Sequence, residues 1–213
     1  SVPLDCTYYP EAKLVALIVS LPSPHAPFLP EDGQSEPHAA YSYSLAGIEG
    51  AKDNHLDRHE VRIISPSTWT VLWSFPLLPG EKGISIQALH LKDYESGATV
   101  PMIAVGTSFA AGEDYPCSGR VILIEVTKQE NNAWAGRMTY AREFKGPVTN
   151  VTAVEGYLLL STGNRIETCM LKSKRVEVAD ANILFTLQRS AFYEGPSLIT
   201  SLNVVKNFIL LGD

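Results

Sequence analysis

Cysteine is scarce in this chain. Of 213 residues only Cys6, Cys117 and Cys169 carry thiols, and they lie far apart. No CxxC pair exists, which removes zinc ribbons and thioredoxin-type redox motifs from consideration. An odd, sparse count also argues against a disulfide framework, and reduced thiols are the expectation. Basic residues are few as well: 17 Lys and Arg against 23 Asp and Glu give a formal net charge of −6. That balance disfavours a dedicated nucleic-acid grip, which needs clustered cations against phosphate. Long hydrophobic runs are missing. The apolar stretch Leu14-Val-Ala-Leu-Ile-Val-Ser-Leu21 is too short to cross a bilayer and has no basic flank typical of a signal peptide. Asn150-Val-Thr152 has the form of a glycosylation sequon, which carries meaning only on a secreted chain. There is no Walker loop, GxGxxG or GxSxG element.

What is present is strand pattern. Hydrophobic residues make up 45% and charged residues 19%, enough apolar material for a packed core. Short runs rich in Val, Ile, Leu and aromatics recur along the chain. They are Leu4–Tyr9, Lys13–Leu21, Glu60–Ser65, Thr70–Phe75, Ile84–Leu91, Pro101–Thr107 and Arg120–Val126. They continue with Arg137–Phe144, Val148–Val154, Tyr157–Ser161, Arg165–Leu171, Ile183–Leu187, Ile199–Val204 and Phe208–Leu211. Fourteen prolines and fifteen glycines punctuate them. Many short strands with frequent turn signals predict an all-β fold. Residues 22–58 depart from this: rich in Pro, His, Ser and acidic groups, without period, they read as a long flexible surface loop.

A weak internal repeat refines the architecture. Gly146-Pro147 opens a stretch ending in Gly156-Tyr-Leu-Leu-Leu-Ser161; Gly195-Pro196 opens another ending in Asn207-Phe-Ile-Leu-Leu-Gly212. The offset of about 50 residues lies in the range of propeller blades, so residues 1–213 predict a partial β-propeller of roughly four to five blades. A single four-stranded blade cannot bury both faces, and radial stacking gives each sheet two apolar neighbours. The last residues, Leu211-Gly-Asp213, follow an apolar run directly. The chain is therefore read as a piece of a longer propeller, incomplete at its C-terminal side.

Candidate chemistry is thin. His55 and His59 have i, i+4 spacing, but no Glu follows His55 and the segment is polar, so both are read as solvated loop residues rather than metal ligands. His25, His38 and His90 show no partner in sequence, and Glu113-Asp114 reads as a surface turn. Trp69 and Trp73, four apart, would share one face of a strand, which favours core. The densest basic cluster, Lys172-Ser-Lys174-Arg175, reads as a hairpin tip. Lys172, Lys174 and Arg175 are the candidates for RNA or partner contact, with no aromatics interleaved to stack bases. Nothing in the sequence calls for a cofactor or a metal.

Several ordered stretches resemble one family. Ser201-Leu-Asn-Val-Val-Lys-Asn-Phe-Ile-Leu-Leu-Gly-Asp213 is similar to a segment of the large subunit of cleavage and polyadenylation specificity factor, and Ala191-Phe-Tyr-Glu-Gly-Pro196 fits the approach to it. Ile103-Ala-Val-Gly-Thr-Ser108, Gly112-Glu-Asp114, Gly119-Arg-Val-Ile-Leu-Ile-Glu-Val126 and Phe144-Lys-Gly-Pro-Val148 resemble its strand, loop, returning strand and next blade entry. Val2-Pro-Leu-Asp-Cys-Thr7 with Leu17-Ile-Val-Ser20, and Val61-Arg-Ile-Ile-Ser-Pro66 with Trp69, fit the hairpin before and the strand after the family's variable loop. The Gly-Thr, Gly-Arg and Lys-Gly elements are shared with two sibling propellers, the large damage-specific DNA-binding protein and the propeller subunit of splicing factor 3b. The chain departs from the family after Gly163, where Asn164-Arg-Ile-Glu-Thr-Cys-Met-Leu171 lacks the aromatic, and across Lys172–Gln188.

The resemblance implies a non-catalytic nuclear scaffold for mRNA 3′-end processing. WD-repeat and zinc-finger subunits would dock on it and read the signal in pre-mRNA, leaving its own RNA contact indirect. The rival from another class is a propeller hydrolase or lyase, which would need His and acidic side chains converging at a channel mouth.

Overall fold

The computed structural model describes residues 1–22, 57–109, 117–129, 133–175 and 183–213. Among these residues there is no helix; fourteen strands form four sheets in which every pairing is antiparallel. The first sheet holds β1 (Val2–Tyr9), β2 (Leu14–Leu21), β3 (Arg58–Ile64) and β4 (Val71–Pro76). The second holds β5 (Glu81–Lys92), β6 (Thr99–Phe109), β7 (Gly119–Lys128) and β8 (Trp134–Phe144). The third holds β9 (Val148–Val154), β10 (Tyr157–Thr162), β11 (Arg165–Arg175) and β12 (Ile183–Glu194). β13 (Ser201–Val205) and β14 (Phe208–Gly212) pair alone as the fourth. Strand order within each sheet follows the chain, and the first strands touch in series: β1 against β5, β5 against β9, β9 against β13. This is a partial, propeller-like all-β fold. Three complete sheets and a two-stranded fourth stand at the lower end of the expected four to five blades.

The apolar pattern explains the stacking. Strand side chains alternate between faces. On β6, Ile103 and Val105 enter a core shared with the first sheet, where they meet Ile18, Ile63 and Leu77. Met102 and Ala104 point the other way, toward Val148, Leu158 and Leu160 of the third sheet. β7 divides likewise, Ile122 and Ile124 to one side, Val121 and Leu123 to the other. A sheet covered on both faces needs near-continuous apolar strands, which is why these runs do not alternate in sequence. Each fully buried Leu or Ile contributes about 1.5–3 kcal/mol relative to exposure. The fourth sheet is held by a smaller cluster, Leu159 and Ile166 against Ile199 and Leu202. Its β14 leaves Phe208, Leu210 and Leu211 exposed.

All the runs read as strands in sequence are strands, mostly longer than their apolar centres. β12 goes on past Leu187 to Glu194 because Arg189–Glu194 keep pairing with Arg165–Cys169 of β11. The divergent stretch after Gly163 thus keeps its two strands, and an aromatic is supplied from the partner: Phe192 of β12 lies opposite Glu167, with the Arg165 guanidinium 4.1 Å from its ring centre. The Gly-Pro repeat marks equivalent positions, since each copy leads into the first hairpin of a sheet, β9–β10 and β13–β14. The β9–β10 turn uses Glu155 (φ 49°) and Gly156 (φ 81°), the left-handed pair that a two-residue hairpin of this twist requires. Most of the loop expected over residues 22–58, together with His25, His38 and His55, lies outside the described residues; Arg58 already belongs to β3.

Two tryptophan and histidine readings change. Trp69 does not share a strand with Trp73. It sits in the β3–β4 turn at φ 55°, its N–H bonded to the Ser65 carbonyl, and its side chain is 76% exposed. Trp73 alone joins the core, stacked on Phe75 with ring centres 5.9 Å apart. The turn takes Trp69 out of the alternating pattern, so spacing was a poor guide. His59 is not a loop residue: it pairs with Ser20 in β3, is buried, and its Nδ1 accepts the Gly83 N–H at 3.2 Å.

Candidate functional site

The basic candidates lie at the end of β11. Lys172 and Lys174 alternate with Ser173, so the two lysines share one face and Ser173 takes the other, with Leu171 and Cys169. Arg175 closes the strand; its side chain lies outside the described residues, as do the residues of the connection beyond it. The hairpin-tip reading is therefore placed at the strand end only.

This strand end is fastened to the neighbouring sheet. Asp93, in the β5–β6 turn, is buried and accepts the Ser173 N–H at 2.9 Å and the Ser173 hydroxyl at 2.5 Å. It also accepts the N–H groups of Glu95 and Ser96 and the Ser96 hydroxyl. Burial alone would push its carboxyl up. The hydrogen bonds from Ser173, Ser96 and Glu95 oppose burial, outweigh it, and hold the group well below the usual carboxylate range. The Tyr94 N–H bonds to the Leu171 carbonyl at 3.0 Å, and the Lys92 N–H to Gly156 at 2.8 Å. Gly156 must be glycine on a second ground: a Cβ there would lie 2.8 Å from Lys92 Cβ. The Lys172 ammonium lies 3.6 Å from the Glu95 carboxylate, a partly exposed pair of small energetic weight.

The same rim carries two aromatics that the linear sequence separates. Tyr94 and Tyr157 pack with ring centres 5.1 Å apart, tilted by 41°. Lys92 Nζ stands 5.3 Å from the Tyr94 ring centre. Tyr157 projects from the same face of the third sheet as Lys172 and Lys174, since Leu158 pairs with Cys169 and both turn inward. Sequence reasoning missed Asp93, Ser173, Tyr94 and Tyr157. The only local signal was the Asp93-Tyr-Glu-Ser-Gly97 turn composition.

A second polar group serves structure. Glu81 is fully enclosed. It accepts the Thr107 hydroxyl at 2.6 Å, the Leu78 N–H at 2.9 Å, and Arg120 in a fork, Nε at 2.8 Å and Nη2 at 2.5 Å. Gly119, next to Arg120, could not carry a side chain: a Cβ would lie 2.2 Å from the Thr107 carbonyl oxygen. The Gly-Thr and Gly-Arg elements that carried the resemblance are thus one packed node joining β5, β6 and β7.

The remaining candidates do not converge. His90 pairs with Glu11, on a different part of the molecule from His59. Glu113-Asp114 lies outside the described residues. All three cysteines are free; burial pushes the Cys169 thiol up to about 11. Among the described residues no group of three or more His, Cys, Asp or Glu is placed to hold a metal.

Comparison with known proteins fits this architecture. The CPSF A subunit region family matches residues 58–213. The chain belongs to that family. It is 30% identical over 99% of its length to the probable cleavage and polyadenylation specificity factor subunit 1 of Oryza sativa subsp. japonica. It is 30% identical over 99% of its length to cleavage and polyadenylation specificity factor subunit 1 of Arabidopsis thaliana. With protein cft1 of Schizosaccharomyces pombe it shares 28% identity over 71% of the chain. It spans 14% of the length of the two plant relatives and 10% of the yeast one. Within the CPSF A subunit family match fall both polar locks, Glu81–Arg120 and Asp93–Ser173.

Proposed function

We propose that this chain is part of a non-catalytic scaffold subunit acting in pre-mRNA cleavage and polyadenylation in the nucleus. The observation that carries this reading is the match, over 99% of the chain, to two plant proteins named as subunit 1 of the specificity factor. The polar chemistry supports it. The two best-buried carboxylates, Glu81 and Asp93, are engaged in fastening strands and sheets, the use a rigid platform makes of charge. In this reading WD-repeat and zinc-finger subunits dock on the propeller rims and read the signal in pre-mRNA, and cleavage belongs to another subunit. Lys172, Lys174 and Arg175 lie at one such rim and serve as a contact to RNA or to a partner. Binding energy at docking rims would concentrate in a few anchored aromatics and arginines.

The test is affinity purification of the tagged full-length protein from nuclear extract, with mass spectrometry of the eluate. Co-purification of WD-repeat, zinc-finger and endonuclease subunits of the polyadenylation machinery is the expected result. A cullin ligase or splicing partners in their place would move the chain to a sibling branch, and an eluate with neither would end the scaffold reading.

A further inference from the structure

We propose that the outer gap between the second and third sheets, where Arg142, Arg165 and Arg189 gather beside Phe192, is a docking site for a phosphorylated segment of a partner protein. The inference goes beyond the scaffold reading, which places no partner on this flank. Arg142 belongs to β8, the edge strand of the second sheet. It pairs with Val121, so its side chain points with Val121 toward the third sheet. Glu167 and Cys169 of β11 pair with Leu160 and Leu158, which face the second sheet in return. Arg189, on the edge strand β12, pairs with Cys169 and shares that face. β8 and β12 touch, and Arg142 and Arg189 both lie near enough to the buried Cys169 to oppose the upward push on its thiol. Arg165 and Arg189 stand over the exposed Phe192 ring at 4.1 and 5.4 Å, and Arg142 over Phe144 at 4.8 Å. A guanidinium stacked on a ring uses its face and keeps its in-plane N–H donors for other partners.

The carboxylates present leave this cluster incompletely paired. Glu167 is buried; its Oε1 lies 3.1 Å from Arg165 Nε and 3.7 Å from Arg189 Nη1, while its Oε2 has no hydrogen-bond partner. Glu194, mostly in solvent, lies 3.6 Å from Arg165 Nη1. Arg165 thus has two carboxylates, and Arg189 has one long contact that it shares. Arg142 forms no ion pair among the described residues. Two guanidiniums, one from each sheet, are left to be neutralised in a chain of net charge −6. A phosphate dianion has three terminal oxygens and can take a fork from each of them. A lone carboxylate has two oxygens and serves one fork. A nucleic acid needs cations in a row along its backbone, whereas these converge at one point between Glu167 and Glu194. The exposed part of the Phe192 ring offers an apolar face to the residue beside the phosphate.

The test uses the tagged full-length protein, purified with whatever subunits accompany it. The probe is a fluorescein-labelled peptide library with one fixed phosphoserine and degenerate flanks, its binding followed by anisotropy. The same library with serine, and with glutamate, at the fixed position gives the comparison. The variants are R142Q/R189Q and, as a control elsewhere on β8, R137Q, whose arginine pairs with Glu125. Thermal melts and the accompanying subunits are recorded for each. The phosphoserine library should bind about tenfold more tightly than the serine and glutamate libraries. R142Q/R189Q should remove that advantage with melting unchanged, and R137Q should keep it. Equal binding of the phosphoserine and serine libraries would overturn the proposal, as would wild-type affinity in folded R142Q/R189Q. A glutamate library that bound as tightly as phosphoserine would overturn it by making the gap a carboxylate site. Oligouridylate binding lost in R142Q/R189Q, without a phosphoserine preference in the wild type, would overturn it in favour of RNA. Should R142Q/R189Q melt early, R142K/R189K decides: it keeps the charge, loses the forks, and must weaken phosphopeptide binding by about threefold or more. No loss in that variant would end the proposal. A wild-type eluate without polyadenylation subunits would end the scaffold reading and leave the peptide result standing.

Discussion

Asp93 and Ser173, 80 positions apart, are joined by two hydrogen bonds, and through them the β5–β6 turn of the second sheet is clamped to β11 of the third. The carboxylate is also the acceptor for its own turn, so one side chain fixes both a loop and an inter-sheet contact. Asp93→Ala should cost about 2–3 kcal/mol, because it strands donors that have little water to turn to. The pH dependence has a definite sign. The folded carboxyl titrates below its ordinary value of 3.8. The stabilisation is therefore complete above the unfolded value and is lost as pH falls through and below it. In urea titrations between pH 6 and pH 3 the gap between wild type and Asp93→Asn should stay constant down to the ordinary carboxyl value of 3.8 and only begin to narrow below it.

His59 works at a higher pH. Burial is the main cause that lowers its pKa from 6.5, with Lys82 adding to the shift, and the neutral Nδ1 is needed as acceptor for Gly83 N–H. An unfolded histidine binds a proton below 6.5 while the folded one resists. Stability is thus full above that value and declines as pH drops beneath it. Melting temperatures recorded from pH 7.5 to 5.5 should fall more steeply in wild type than in His59→Leu. The variant should be less stable at pH 7.5 by about 1–3 kcal/mol, the cost of an unpaired buried amide.

How far the sequence could be read follows from where each contact is encoded. Strands such as β6 and β10 announce themselves because their apolar residues are contiguous and their ends are marked by Gly and Pro. The Gly-Pro repeat located the first hairpins of the third and fourth sheets for the same reason: turn geometry is local. Tyr94 and Tyr157 meet only because the second sheet lies against the third, and no window of sequence holds both. His59 was misread because its polar neighbours on the N-terminal side dominated the window. In the fold its partners are Ser20 on the adjacent strand and Gly83 on the next sheet. The basic cluster was found but its surroundings were not, since Asp93, Glu95 and Tyr94 come from another sheet.

Trp69 supplies a prediction of opposite sign to the others. It holds a left-handed backbone conformation that costs an L-residue roughly 1–2 kcal/mol, and most of its side chain is in water. Asparagine tolerates that conformation better. Trp69→Asn should therefore raise stability by about 0.5–1 kcal/mol. Equilibrium unfolding is the measurement. A loss of more than 1 kcal/mol would show that the indole packs on something after all.

The Glu81–Arg120 fork separates the cost of breaking a buried pair from the worth of having one. Glu81 is wholly enclosed and Arg120 nearly so, and Thr107 and Leu78 complete the carboxylate's bonds. Removing one partner leaves the other charged and dry. Glu81→Leu or Arg120→Met alone should each cost about 3–5 kcal/mol. Replacing the network together, Glu81→Leu with Thr107→Val and Arg120→Met, removes the stranded charge along with the attraction. The triple variant should recover the part of that loss that comes from stranded charge, the remaining cost being the Leu78 and Arg120 N–H groups, which lose their acceptors. Gly119→Ala should not be rescued in the triple background, because its obstacle is the Thr107 carbonyl rather than charge. Urea unfolding of the single, triple and combined variants distinguishes the two causes. If the triple variant were as unstable as the singles, the pair would be contributing net attraction well beyond its desolvation cost.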